Sequence, residues 1–232
     1  MAYKYEFKRE DCWYKGNCPY YKDDAICNPS CPRYMEMHYL MQNSGIPKSR
    51  QHPTILTPGP IDRPAFIRLR DIKDKIEVFI EEGHSLYIFS TKFGNGKTTW
   101  AIKLMQQYFD KVWNGNGFRA RGIFINVPTF LNKIKEGISN KDEDFETLKQ
   151  RLPKVDMVIW DDIASTKLSD FDHNILLTYI DQRTLDNLSN IYTGNLPGAE
   201  LPNAIGNRLA SRVFSESLVI EFKDDDRRGI KW

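Results

Sequence analysis

After residue 31 the 232-residue chain contains no cysteine, because all four (Cys12, Cys18, Cys27 and Cys31) fall within its first 31 positions. That distribution excludes a disulfide framework spread through a secreted fold. No apolar run approaches the roughly 18 residues that a membrane-spanning helix needs. The opening "MAYKYEFKREDCWYKG" is polar and charged and lacks the apolar core of a signal peptide, so the expectation is a cytoplasmic protein. Internal repeats and low-complexity tracts are absent, which argues against solenoids and tails. A strong charge of either sign is missing too: 33 basic residues face 31 acidic ones, for a net charge of +2. Whole-chain charge therefore neither demands nor excludes a nucleic-acid partner. The last absence is a single glycine. Residues 90–100 read "STKFGNGKTTW", and the phosphate-loop pattern G-x-x-x-x-G-K-[ST] asks for glycine where this chain has Thr91.

What is present divides into three zones. Residues 1–43 hold the cysteines and many aromatics, and residues 44–64 hold five of the twelve prolines. Proline fixes φ and removes a donor, so the second zone reads as an extended connector. From Ala65 onward, helix-period and strand-type segments alternate. "AFIRLRDIKDKIEVFIEEG" puts Phe66, Leu69, Ile72, Ile76, Phe79 and Ile80 on one helical stripe that stops at Gly83. Strands are expected at 85–90, 121–127, 156–160, 190–195 and 217–222, with helices at 98–109, 129–138, 171–188 and 203–214. Short apolar strands alternating with helices imply a parallel sheet covered on both faces, an α/β fold.

In that setting the loop after the first strand acquires a chemistry. Gly94 and Gly96 let the backbone of Phe93 to Gly96, Asn95 included, curl so that its N–H groups point at a phosphate. Lys97 would reach the outer phosphates, the Thr98 hydroxyl would hold Mg²⁺, and Thr99 would contact the α-phosphate. "MVIWDD" ends a strand-type run in two carboxylates, Asp161 and Asp162, 64 residues after Lys97. The first can coordinate the Mg²⁺ set by Thr98, and the second can polarise an attacking water. "NIYTGN" ends in Thr193 and Asn195, on the side of the sheet that carries the phosphates. A side-chain amide there can orient the water, and a plain turn residue before "LPG" fits equally well. Arg208 and Arg212 lie one helical turn apart and read either as a solvated face or as arginine fingers for a neighbouring subunit.

The cysteine spacing is Cys12-x5-Cys18-x8-Cys27-x3-Cys31. Four thiolates this close can close a tetrahedral Zn²⁺ site, and a segment of about 40 residues builds little core without such a staple. An iron–sulfur cluster and free core cysteines remain open, as does His38 in place of one cysteine. The aromatics nearby (Trp13, Tyr14, Tyr20, Tyr21 and Tyr34) serve either to pack a small domain or to meet a partner.

Seven stretches occur in a telling order: "SGIPKSR", "FGNGKTT", "FINVPTFLNKIK", "VIWDDIA", "IYTGNL", "NRLASRVF" and "IEFKDDDRR". Over about two-thirds of the chain the sequence resembles the AAA+ ATPase module of DnaC/DnaI-type replicative helicase loaders, whose relatives include the IstB transposition ATPases. The resemblance implies a P-loop AAA+ (ASCE) fold with a parallel five-stranded sheet and ATP/ADP with Mg²⁺ as ligands. It puts Lys97, Thr98 and Asp161 on nucleotide and Mg²⁺, Asp162 in the catalytic base position and Asn195 as sensor 1. It makes Arg212 the arginine finger, with Arg208 second. Only 20 residues follow Arg212, too few for the helical lid of a full AAA+ protein, and these loaders commonly lack that lid. DnaI-type loaders also carry a zinc-bearing N-terminal domain that grips the helicase. The implied organisation is a zinc-binding, helicase-interacting domain (1–43), a proline-rich linker (44–64) and an AAA+ ATPase domain (65–232). The implied partners are a DnaB-family helicase, single-stranded DNA and further copies of the chain, with Lys133 and Lys135 as candidate DNA contacts. The rival expectations are an IstB-like transposition helper, a small-molecule P-loop kinase and an interaction module that binds ATP without turning it over.

Thr91 departs from the family's glycine at the strand exit, away from the residues nearest the anion. Thr91→Gly is expected to be tolerated and to change ATP affinity only modestly, as titration with a fluorescent nucleotide would read. A large gain in turnover would identify Thr91 as a brake.

Overall fold

The computed structural model describes residues 5–52, 54–113, 118–137 and 143–225. Five strands, β1 (Ser85–Phe89), β2 (Gly122–Asn126), β3 (Met157–Asp161), β4 (Ser189–Gly194) and β5 (Ser217–Glu221), form one parallel sheet in the order β2-β3-β4-β1-β5. The helices are α1 (Pro32–Gln42), α2 (Arg63–Asp74), α3 (Ile76–Glu81), α4 (Lys97–Val112), α5 (Val127–Gly137), α6 (Glu143–Arg151), α7 (Asp170–Leu185), α8 (Leu201–Ile205) and α9 (Asn207–Ala210). The last runs into a π-helical turn, Ser211–Ser215.

Successive strand residues point to opposite faces, and here the alternation divides the core in two. Leu86, Ile88, Met157, Ile159 and Ile191 pack on one face with Leu69 of α2, Ile76 of α3 and Leu104 and Phe109 of α4. Tyr87, Phe89, Val158, Trp160 and Tyr192 pack on the other with Phe130, Phe145, Leu176, Ile180 and Leu209. Both faces of β1, β2 and β3 are covered, so these strands are apolar along most of their length rather than alternating, whereas the edge strand β5 leaves Leu218 exposed. Tyr14, Tyr34, Met37 and Leu40 of the N-terminal segment lie in the first of these clusters, and Arg33 pairs with Asp110 of α4 at 3.5 Å.

Several expected elements differ in the structure. The stripe from Phe66 to Ile80 is divided at Lys75, whose φ of −112° and ψ of 27° end α2 and start α3. The stripe is preserved across the break, since Phe66, Leu69, Ile76, Phe79 and Ile80 are all buried. The expected helix over 203–214 is interrupted by Gly206 at φ 79° and ends in the π-helical turn. The acidic stretch before β3 contains a helix, α6, anchored by buried Phe145. Val127, expected in a strand, opens α5. No helix follows β5 among the described residues, and the stretch from Asp226 onward lies outside them.

Under the sheet's N-terminal edge, Arg183 of α7 is fully buried. Its guanidinium donates to the carbonyls of Leu152 (2.7 Å), Val155 (2.8 Å) and Ser189 (2.6 Å) and to Asn190 Oδ1 (2.9 Å), which also accepts the Trp160 indole N–H. Burial lowers its pKa to about 10, so it still carries charge at neutral pH. One side chain thus satisfies the loop ends that lead into β3 and β4. Arg183→Leu leaves those acceptors unpaired in the core, at a cost of about 3 kcal/mol or more. Urea unfolding monitored by tryptophan fluorescence is expected to show that loss.

Candidate functional site

The carboxyl ends of β1, β2, β3 and β4 open into a cleft of about 730 Å³. The loop from Thr91 to Gly96 follows β1 and delivers the chain into α4. Gly94 (φ 71°) and Gly96 (φ 96°) take the left-handed conformation the curl requires. Ser90, fully buried, fixes the loop from below: its Oγ accepts from the Lys92 N–H (3.1 Å) and from Asn95 Nδ2 (2.5 Å). Lys97 is buried, with Nζ donating to the Lys92 carbonyl (3.1 Å) and to Asn95 Oδ1 (3.3 Å). An ammonium held by weak loop acceptors at the mouth of a helix N-terminus is poised for a stronger anion.

β4 lies between β1 and β3, so the loop and the acid pair are two strand spacings apart, roughly 10 Å between backbones. Side chains close that gap. Thr98 Oγ1 and Thr193 Oγ1 both donate to Asp161 Oδ1 at 2.7 Å, and Thr193 Oγ1 accepts the Asp162 N–H at 3.0 Å. Asp162 itself adopts φ 58°, turning its side chain out of the strand into the cleft. Burial raises the pKa of its carboxyl and neighbouring Asp161 adds to the rise, while Lys97 and Arg50 oppose it. The pair is therefore differentiated. Asp161 is held by two hydroxyls, whereas the Asp162 carboxyl, its pKa raised by burial, faces the cleft where it can accept a proton.

Phe93, Gly94, Asn95, Gly96, Lys97, Thr98, Thr99, Asp161, Asp162 and Asn195 all line this one cleft. The Thr98 hydroxyl and the Asp161 carboxylate are hard oxygen donors side by side, a set that fits Mg²⁺. Arg208 and Arg212 are not brought to the cleft. Both bind Asp181 of α7, at 2.5 Å and 2.7 Å, and Arg212 also pairs with Glu216. Lys135 is occupied by Asp172 at 2.8 Å, and Lys133 lies exposed on α5.

Sequence reading missed other lining residues: Pro47, Arg50, Phe124, Asn126 and Ser165. Asn126 had a usable signal, a polar residue ending the apolar strand "GIFIN" next to Asp161 in register. Pro47 and Arg50 fall in the stretch "SGIPKSR" that carries part of the resemblance, but a proline-rich connector gives no hint of where it docks.

The four cysteines are free thiols, Cys12 being buried. Burial raises the Cys12 pKa first, and the thiols of Cys27, Cys31 and Cys18 add to the rise, so the four share one neighbourhood. Among the described residues, however, no group of three or more His, Cys, Asp or Glu is arranged to hold a metal ion. The side chains as placed do not make the tetrahedral zinc set expected from the spacing. His38 is stacked on Tyr34, with ring centroids 5.5 Å apart.

No family model matches the chain, and no curated protein matches its sequence. Solved structures do match. The crystal structure of the DnaC helicase loader is 18% identical over 73% of this chain and 94% of its own, with a TM-score of 0.61. The crystal structure of DnaI is 17% identical over 77% of this chain and 95% of its own, with a TM-score of 0.60. The replication initiator DnaA bound to AMPPCP and single-stranded DNA is 15% identical over 81% of this chain and half of its own, with a TM-score of 0.55. The chain thus shares the fold of these structures, and its structural neighbours include the DnaC helicase loader, DnaI and DnaA. No described helix is long and apolar enough to cross a membrane.

Thr193 joins the Asp161 carboxylate to the Asp162 backbone N–H, and Thr193→Val keeps its shape while removing both hydrogen bonds. The expected cost is about 1–2 kcal/mol, read as a lower urea midpoint with an unchanged slope.

Proposed function

We propose that this chain is an ATPase of replication initiation, acting as an ATP-dependent loader of a DnaB-family helicase onto single-stranded DNA. The observation that carries the enzymatic part is the shared acceptor Asp161. Through it the phosphate loop, the acid pair and the end of β4 form one connected site instead of three separate motifs. The loader assignment rests on the fold held in common with DnaC and DnaI and on the motif order in the sequence.

In this reading the N–H groups of residues 93–98 and the Lys97 ammonium bind the phosphates of ATP. Thr98 and Asp161 hold Mg²⁺, which when bound neutralises charge on the outer phosphates. Asp162 takes the proton of the attacking water, and its raised basicity suits that task. Asn195, lining the same cleft, orients that water. Arg208 and Arg212 sit away from their own cleft, which suits a role between subunits: Arg212 of one copy completes the site of the next. Residues 1–43 are assigned to the helicase. Their zinc, expected from the cysteine spacing, finds no arranged ligand set here, and no step depends on it.

ATP hydrolysis measured with and without single-stranded DNA and a DnaB-family helicase tests the proposal. Turnover stimulated by either is expected, and its absence under all conditions overturns the reading. Asp162→Asn should lower turnover by about 100-fold or more while sparing ATP binding. A base works only when ionised, so the upward shift of Asp162 places the acidic fall of turnover above the ordinary carboxylate range near 4. That fall should be absent from the residual activity of Asp162→Asn.

A further inference from the structure

The segment between α1 and α2 begins as a clip on the sheet. The Ser44 carbonyl accepts the Phe124 N–H of β2 at 2.6 Å, and the Ser44 hydroxyl donates to Met41 O (2.7 Å) and accepts Ile46 N–H (3.2 Å). Gly45 passes so close to β2 that a Cβ on it would stand 2.9 Å from the Phe124 carbonyl oxygen. Ser44 and Ile46 are buried. Gln51 closes the turn from the other side, its amide donating to Ile46 O at 2.9 Å. Between these anchors Pro47 starts a single 3-10 turn, Lys48–Arg50.

The position of Arg50 within the turn is fixed. Its N–H donates to Pro47 O (2.7 Å), and its carbonyl accepts from Nε2 of Gln106, a buried residue of α4. Its side chain is exposed, and the residue lines the cleft that holds Lys97, Asp161 and Asp162. Arg50 and Lys97 are the two cations of that lining, and both act on the Asp162 carboxyl. Among the described residues no carboxylate lies within ion-pair distance of the Arg50 guanidinium. The contrast with Arg208 and Arg212, both neutralised by Asp181, is direct. A backbone held at both ends presents an uncommitted guanidinium to a phosphate-binding cleft, and that planar fork matches phosphate oxygens.

We propose that Arg50 is a nucleotide-contacting residue: from the clipped linker of the same subunit it binds a phosphate group of the triphosphate seated on the Gly94–Thr98 loop. This deepens the nucleotide reading of the cleft and rests on it. One consequence is that the segment immediately after α1 reports on nucleotide occupancy without any help from a second subunit.

The test titrates the intact protein with mant-ATP, comparing the natural chain with Arg50→Ala, Arg50→Lys and Lys97→Ala, each checked for an unchanged thermal transition. Arg50→Ala should weaken binding about tenfold or more, with partial recovery in Arg50→Lys. Hydrogen exchange at residues 44–51 should slow on adding ATP to the natural chain but not to Arg50→Ala. Binding by Arg50→Ala equal to that of the natural chain, while Lys97→Ala loses it, would overturn the role of Arg50 and leave the nucleotide site standing. Equal binding by the natural chain and Lys97→Ala would overturn both.

Discussion

One carboxylate oxygen organises the site. Asp161 Oδ1 accepts hydroxyl hydrogens from Thr98 at the start of α4 and Thr193 on β4. A buried carboxylate is costly unless its lone pairs are filled, and here they are filled by the elements that must be held in register. The order β2-β3-β4-β1-β5 makes this necessary, because β4 separates the phosphate loop from the acid pair. A hydroxyl on the intervening strand bridges the gap and at the same time accepts the Asp162 backbone N–H. The positive φ of Asp162 is supported by this bond, and the second carboxyl is turned into the cleft as a consequence.

Much of this was readable from the chain. The strand–loop–helix at residues 85–112, the acid pair and the polar end of β4 are local patterns whose chemistry depends on short spacings, and the sheet places them together at its carboxyl edge. The alternation of strands and helices was likewise legible because burial on both faces makes parallel strands uniformly apolar. Features that depend on distant partners were not legible. The break at Lys75 leaves the apolar stripe intact, so periodicity passes over it. Helix α6 is mostly charged and is held by Phe145 rather than by a broad apolar face. Arg208 and Arg212 looked unattached because Asp181, their partner, lies on another helix. The cysteine spacing suggested a closed metal set that the side chains as placed do not make.

Four arginines fall into three electrostatic classes, and the difference bears on what each can respond to. Arg183 is spent on backbone carbonyls and holds the sheet. Arg208 and Arg212 share the Asp181 carboxylate, and any new anion must compete with it. Arg50 has no such competitor among the described residues. A cation already paired with an acid meets a new anion only in competition with that acid, whereas an uncommitted cation meets it without one.

The Ser44–Phe124 hydrogen bond has a consequence of another kind. β2 is the terminal strand of the sheet, and its outer edge would otherwise present unpaired backbone groups to any passing chain. Ser44 satisfies one of these groups, and the close passage of Gly45 obstructs the approach of another strand. The segment between α1 and α2 therefore also guards the sheet against edge-to-edge association. Removing everything before Ile46 would uncover that border, together with the core face that α1 covers, while leaving every residue of the phosphate loop and the acid pair in the chain.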